Sequence, residues 1–175
     1  QGIAGVTVEL TGTDVKGNAV TRTTTTGNDG SSLFADLPAG TYAVTEPNQP
    51  PLTLNGKTVP GNIGGVPMAG ATATGKATTP SAIGNIVLGE NQHAVQNNFG
   101  EIPPASIAGQ VWYDDNDNGR IDAGETGIPG QEIVLALADD LGNPVRTTGV
   151  TDGDGRYHFP NLRPGRYKVT QPNQP

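Results

Sequence analysis

Three consecutive stretches decide the fold: Ser106-Ile107-Ala108-Gly109-Gln110-Val111-Trp112-Tyr113, then Asp114-Asp115-Asn116-Asp117-Asn118-Gly119-Arg120-Ile121-Asp122-Ala123-Gly124-Glu125, then Gly127-Ile128-Pro129-Gly130 leading into Glu132-Ile133-Val134-Leu135-Ala136-Leu137. In the first, Ile107, Val111 and Tyr113 share one parity, the alternation of a half-buried strand. In the third, Pro129 and Gly130 oppose a helix start, and a β-branched run follows. The middle stretch therefore joins two strands, not two helices.

That middle stretch fits D-x-[DN]-x-[DN]-G-x5-E at every constrained position. Asp114, Asn116 and Asn118 offer side-chain oxygens at positions 1, 3 and 5. Gly119 permits the sharp turn at position 6, and Arg120 offers a backbone carbonyl at position 7. Asp122 stands at position 9 and Glu125 at position 12. Ca²⁺ takes roughly 6–8 oxygen ligands, so the loop can supply a site by itself. Solvated Asx-Gly turns are common, but a turn does not require Gly at position 6 together with Glu at position 12. Five carboxylates crowd this loop against one base, Arg120, while the rest of 106–175 balances its charges. Such crowding is repulsive unless a cation sits within it. With strands on both sides, the ion would clamp structure; no helix pair is present to open and signal.

Bulk properties agree with short strands and many turns. The 175 residues include 26 Gly and 15 Pro, and aromatics make up 5%. No long stretch has helical period. With no Cys, disulfides, thiolate metal sites and Cys nucleophiles are excluded. A net charge of −7 argues against nucleic acid as a partner. The longest apolar run, Ile133 to Ala138, falls far short of the ~18 residues of a membrane span. A chain that opens on Gln1 and shows no signal peptide is expected to be an excerpt of a longer protein.

Residues 2–50 align with 127–175 without a gap. Gly2-Ile3-Ala4-Gly5 matches Gly127-Ile128-Pro129-Gly130, and Asp14, Gly17 and Asn18 match Asp139, Gly142 and Asn143. Phe34, Leu37, Gly40, Tyr42 and Val44 match Phe159, Leu162, Gly165, Tyr167 and Val169, and both copies close on Pro-Asn-Gln-Pro. The chain samples a tandem array whose period is too long for a solenoid, so each unit should be a globular domain. The expected domains are 1–103, a Pro-containing linker at 104–105, and 106–175. The first copy lacks the counterparts of strand 106–113 and of the calcium loop. The second lacks the counterparts of 51–103.

Within a copy, Val6, Val8 and Leu10 alternate with polar residues, and Val20 to Thr26 forms a Thr-rich strand suited to an exposed face. Asn28-Asp29-Gly30 and Gly153-Asp154-Gly155 read as hairpin turns. Tyr157 and Phe159 point inward, as do Tyr167 and Val169; Arg166 and Lys168 face water. Residues 51–82 read as a long loop or loose strands. Ile86-Val87-Leu88, a turn at Gly89-Glu90-Asn91, and Val95 to Ile102 read as a closing hairpin. The fold class expected is all-β: tandem antiparallel sandwiches of prealbumin or immunoglobulin type.

Taken together, Ser-x-x-Gly-x-Val-Trp at 106–112, the acidic loop, Gly-Ile-Pro-Gly at 127–130, Thr-Asp-Gly-Asp-Gly-Arg-Tyr-His-Phe at 151–159 and Leu-Arg-Pro-Gly-Arg-Tyr-Lys-Val-Thr at 162–170 resemble the SdrD B-like domains of bacterial surface adhesins, related to the collagen-adhesin B-type fold. The resemblance is close over 106–175, clear over 1–50, and loose over 51–83. It implies a calcium-stabilised stalk repeat on the outside of a bacterial cell, holding a distal adhesive region away from the surface. Its partners would be neighbouring repeats, with host or bacterial ligands met through other domains. The implied metal ligands are Asp114, Asn116, Asn118, the Arg120 carbonyl, Asp122 and Glu125. Some related domains carry a Lys–Asn isopeptide bond, but 106–113 has no Lys, and Lys168 falls on the outward parity of a later strand.

Two rivals stand beside the stalk. An enzyme finds little support: there are two His, His93 and His158, both at surface positions, and no catalytic motif. A carbohydrate- or host-protein-binding sandwich is the alternative. It would use loops or the single Trp, Trp112, although an indole beside the calcium loop is expected to pack on the domain edge. Asp152 and Asp154 are candidates for a second calcium site or simply for a turn; the turn is the stronger reading.

Overall fold

The computed structural model describes residues 1–75 and 80–173. The final Gln-Pro of the second Pro-Asn-Gln-Pro and four residues of the 51–82 segment lie outside the described residues. Two compact units form, Gln1–Pro103 and Pro104–Pro175. Among the described residues there is no helix, and the strands pair antiparallel throughout.

Unit 1 is built on β1 (Thr7–Asp14), β2 (Ala19–Thr25), β3 (Gly40–Glu46), β4 (Leu54–Val59), β5 (Asn62–Ile63), β6 (Val66–Pro67), β7 (Thr72–Thr74), β8 (Ser81–Leu88), β9 (Ala94–Val95) and β10 (Asn98–Ile102). Its main sheet runs β2-β1-β3-β8-β7, and a second sheet pairs β10 with β4. Alternation decides which face is buried. Val8 and Leu10 of β1, Tyr42 and Val44 of β3, and Ile83, Ile86 and Leu88 of β8 form the core, and Phe99 of β10 packs onto it. The Thr-rich β2 is mostly exposed, as its composition predicts.

Unit 2 contains β11 (Ala105–Gln110), β12 (Glu132–Asp139), β13 (Pro144–Val150), β14 (Arg156–Leu162) and β15 (Gly165–Thr170). One sheet is β13-β12-β15 and the other β11-β14. Ile133 and Leu135 of β12 pack against Phe159 of β14, with Ile107, Val111, Tyr157, Leu162 and Tyr167 around them. Each unit is thus an all-β sandwich. β11 begins at Ala105, within the stretch assigned to the linker from sequence, because Ala105 already pairs with Leu162.

The two copies repeat their polar fastenings. Asp14 and Asp139 each accept from the backbone two and four residues ahead and from an Asn amide, at 2.8–3.0 Å, closing the turns that join β1 to β2 and β12 to β13. The Tyr42 and Tyr167 hydroxyls each donate at 2.7 Å to a carbonyl four residues back, Pro38 and Arg163. The Thr26 and Thr151 hydroxyls donate to the Ile3 and Ile128 carbonyls at 2.6 and 2.7 Å.

Several sequence expectations need correction. The closing hairpin of 86–102 does not form: β8 joins β3 in the main sheet, whereas β10 pairs with β4 in the other. The core needs an apolar strand on each layer, and the intervening turn crosses between them. For the same reason the Gly153-Asp154-Gly155 turn is no hairpin. It carries the chain from β13, paired with β12, to β14, paired with β11. Tyr113, given inward parity with β11, is 53% exposed because the strand has ended and the loop neck has begun. Val169 is 36% exposed where its counterpart Val44 is 9%; β8 pairs alongside Val44, and no described strand does so at Val169.

Candidate metal centre

The loop 114–125 hangs from a short antiparallel neck. Val111 N donates to Gly155 O at 2.8 Å, Ile128 N to Val111 O at 2.9 Å, and Tyr113 N to Thr126 O at 3.0 Å, while Trp112 bridges Gly127. Gly127 also lies close against the 152–155 turn, since a Cβ there would sit 1.8 Å from Asp154 O. The neck fixes both ends of the loop to the sandwich, so the loop geometry is set by the fold as well as by its own residues.

Inside the loop the chain turns sharply at Asp117 (φ 55°) and Gly119 (φ 71°), a left-handed step for which Gly is the least strained residue. Asp114 accepts from Asn118 N at 3.0 Å and Gly119 N at 2.8 Å. Asn116 and Asn118 both donate their amides to Asp122 Oδ2, at 2.9 and 2.6 Å. These bonds, first from Asn116 and then from Asn118, hold the Asp122 carboxyl below its ordinary range. The Asn118 side-chain Oδ1 accepts from Arg120 N at 2.7 Å. Glu125 reaches back to accept from Asp115 N at 3.2 Å and Asp122 N at 3.0 Å.

Asn116, Asn118 and Asp122 therefore meet directly, while Asp114 and Glu125 organise the backbone on either side. The loop carboxylates do not converge on one point: among the described residues no group of three or more His, Cys, Asp or Glu side chains is gathered tightly enough to hold a metal. The donor set is nevertheless suited to a hard cation, being all oxygen and net negative. Two amide N–H groups occupy the side of Asp122 that a cation would take; rotating each amide about its terminal torsion exchanges nitrogen for oxygen.

The second acidic pair behaves differently. Asp152 Oδ1 accepts from Asp154 N at 2.9 Å and Arg156 N at 2.8 Å, and Asp154 pairs with Arg156 at 3.0 Å. Both carboxylates are engaged in closing the turn. Trp112 is half-buried, with its indole nitrogen shielded from solvent. His93, His158 and Lys168 are exposed.

One polar cluster escapes a reading by motif. Glu46, at the inward parity of β3, is 3% exposed. Burial, and then the neighbouring Glu101 charge, push its carboxyl up to about 7. Burial also raises Glu101, against the lowering effect of hydrogen bonds from Gln49 and Thr53. Glu46 Oε1 and Glu101 Oε1 are buried without a hydrogen-bond partner. The available signal is parity: Glu46 follows Tyr42 and Val44 on the core face.

The SdrD B-like domain family matches residues 1–79 and 105–175. Serine-aspartate repeat-containing protein D of Staphylococcus aureus (strain MSSA476) is 33% identical over 169 residues, covering 97% of this chain and 11% of the relative. Serine-aspartate repeat-containing protein C of Staphylococcus aureus (strain N315) is 34% identical over 172 residues, covering 97% of this chain and 16% of the relative. The chain thus spans only a small part of these relatives. No solved structure matches it. The family match reaches into both units, and the relatives are 33–34% identical across 97% of the chain: the chain belongs to the SdrD B-like domain family.

Proposed function

We propose that this chain is a calcium-stabilised structural stalk segment of a bacterial cell-surface adhesin, working outside the cell to hold a distal adhesive region away from the surface. The observation that carries the reading is the loop 114–125, in which Asn116, Asn118 and Asp122 meet above a neck hydrogen-bonded to the sandwich. The ion would be held by Asp114, Asn116, Asn118, the Arg120 carbonyl, Asp122 and Glu125. Its chemistry is electrostatic. It offsets the repulsion of the crowded carboxylates and ties the β11 side of the loop to the β12 side. A stalk needs stiffness more than a pocket, and the neck transmits loop order directly to two strands. The engagement of Asp152 and Asp154 in their own turn favours one calcium per loop. Calorimetric titration with calcium, paired with thermal melting in calcium and in chelator, tests the proposal. One site per chain and a calcium-dependent rise in Tm are expected, since a ligand that prefers the native state stabilises it. Absence of both binding heat and shift would refute it.

A further inference from the structure

The internal repeat serves as a control for the charges that the fold itself requires. In unit 2, Arg146 and Lys168 flank Ala136 on either side of β12, and Arg166 pairs with Ala138. Tyr167, between Arg166 and Lys168, packs on the core, so its two neighbours point to the outer face of the sheet. All three cations are exposed. Strand spacing places Arg146 about 10 Å from Lys168, and the rise along β15 places Arg166 about 7 Å from it. At the matching positions unit 1 carries Thr21, Thr41 and Ala43, in a sheet whose strands β2-β1-β3 run in the same order, so the fold does not need these charges. Thr21 and Thr41 lie exposed although unit 1 includes β4 to β10, so that part of the fold does not cover this face.

Nothing in unit 2 neutralises the three cations. Among the described residues its ion pairs are Arg156 with Asp154 and Arg163 with Asp140. Asp139, the other carboxylate at this end of β12, is held by its own turn. The opposite end of β12 follows the neck of the acidic loop, and Ala138 lies about 20 Å beyond the first residue of the strand at roughly 3.4 Å per residue. Asp115 and Asp117 of the loop are exposed, and among the described residues their carboxylates have neither a hydrogen-bond donor nor an ion-pair partner. They stand at positions 2 and 4, outside the proposed ligand set, so they stay available with a metal bound. The unit is therefore acidic at one end and basic at the other, with free charges of both signs.

We propose that the basic face of the β13-β12-β15 sheet docks a second copy of this chain, whose acidic loop seats Asp115 and Asp117 on Arg146, Arg166 and Lys168. The contact is heterologous: the loop of one copy meets the sheet face of the next, which leaves a free face and a free loop to which further copies add. Exposed ion pairs contribute little singly, so two free chains hold each other weakly. Where many copies stand side by side on one surface, each further contact forms at a high effective concentration and the weak pairs add up. The contact itself stands on the charges alone; its use in bundling neighbouring stalks rests on the stalk function proposed above.

The test is sedimentation velocity of the full chain over a range of protein concentrations, in chelator, so that the outcome is independent of metal binding. It is run in about 0.01 M and about 1 M salt, between which the screening length falls from about 30 Å to about 3 Å. A sedimentation coefficient that rises with protein concentration at low salt and stays constant at high salt is expected. Asp115→Lys with Asp117→Lys, and separately Arg146→Glu with Lys168→Glu, should each weaken self-association by about tenfold or more, since like charges then face each other. All four positions are exposed, and the core resonances of Leu135 report that each variant is folded. An equimolar mixture of the two variants should associate again, because the loop of each then meets a face of opposite charge on the other. No concentration dependence at low salt, equal association at both salts, undiminished association of either variant alone, or a mixture that stays monomeric would overturn the proposal.

Discussion

Glu46→Gln should stabilise unit 1 at pH 8 and leave it nearly unchanged at pH 4. Glu46 is 3% exposed, and its carboxyl is pushed up to about 7 from an ordinary 4.5, by burial first and by Glu101 second. Below pH 4.5 the group is protonated in both folded and unfolded chains and contributes no pH dependence. Between 4.5 and 7 the unfolded chain releases its proton while the folded chain keeps it, so stability falls as pH rises. Above 7 both states are ionised and the loss is complete, of order 3 kcal/mol at 1.36 kcal/mol per pH unit. A Gln amide stays neutral throughout, and the other copy already carries one at the matching position, Gln171. The difference between variant and parent isolates this group from every other carboxylate. Urea unfolding at pH 4 and pH 8, followed through resonances of Leu10 and Ile83, reads unit 1; Leu135 serves as an internal control in unit 2. The midpoint gap for unit 1 should widen by about 1–3 M urea between the two pH values, given the m-value of a small domain. An equal gap at both, or a loss of stability at pH 8, would refute the reasoning.

Asp122→Ala and Glu125→Ala should lower Tm in calcium and change it little in chelator; at a hundredfold excess over Kd the calcium-dependent part is about 2.7 kcal/mol, and equal loss in both buffers would count against the metal. Tyr167→Phe deletes the hydroxyl that donates to the Arg163 carbonyl at 2.7 Å; denaturant titration should show a loss of about 1 kcal/mol. Leu135→Ala, at a position 0% exposed between the sheets of unit 2, should cost about 2–5 kcal/mol by chemical denaturation through the lost burial and the cavity left behind.

What could be read without the structure is what depends on near neighbours in the chain. Alternation along Val8 and Leu10 or Tyr157 and Phe159 announces a buried face because side chains of a strand alternate by geometry alone. The turns at Asp14 and Asp139, and the acidic loop between two strands, are local chemistry and stand where their residues place them. Strand partners are not local. Nothing in Ile86 to Ile102 says that β8 joins β3 while β10 joins β4; that follows from closing two layers over one core. The acidic loop was legible as a donor pattern, yet which donors meet depends on the neck between 111–113 and 126–128. Glu46 resisted reading for the same reason: its carboxyl is perturbed first by burial between packed strands and second by Glu101, which β10 supplies from more than fifty residues away. Sequence alone determined the all-β class, the repeat and the acidic loop. Tertiary structure decided which strands pair and which carboxylates lose water, because burial and ladder partners exist only once distant segments are packed together.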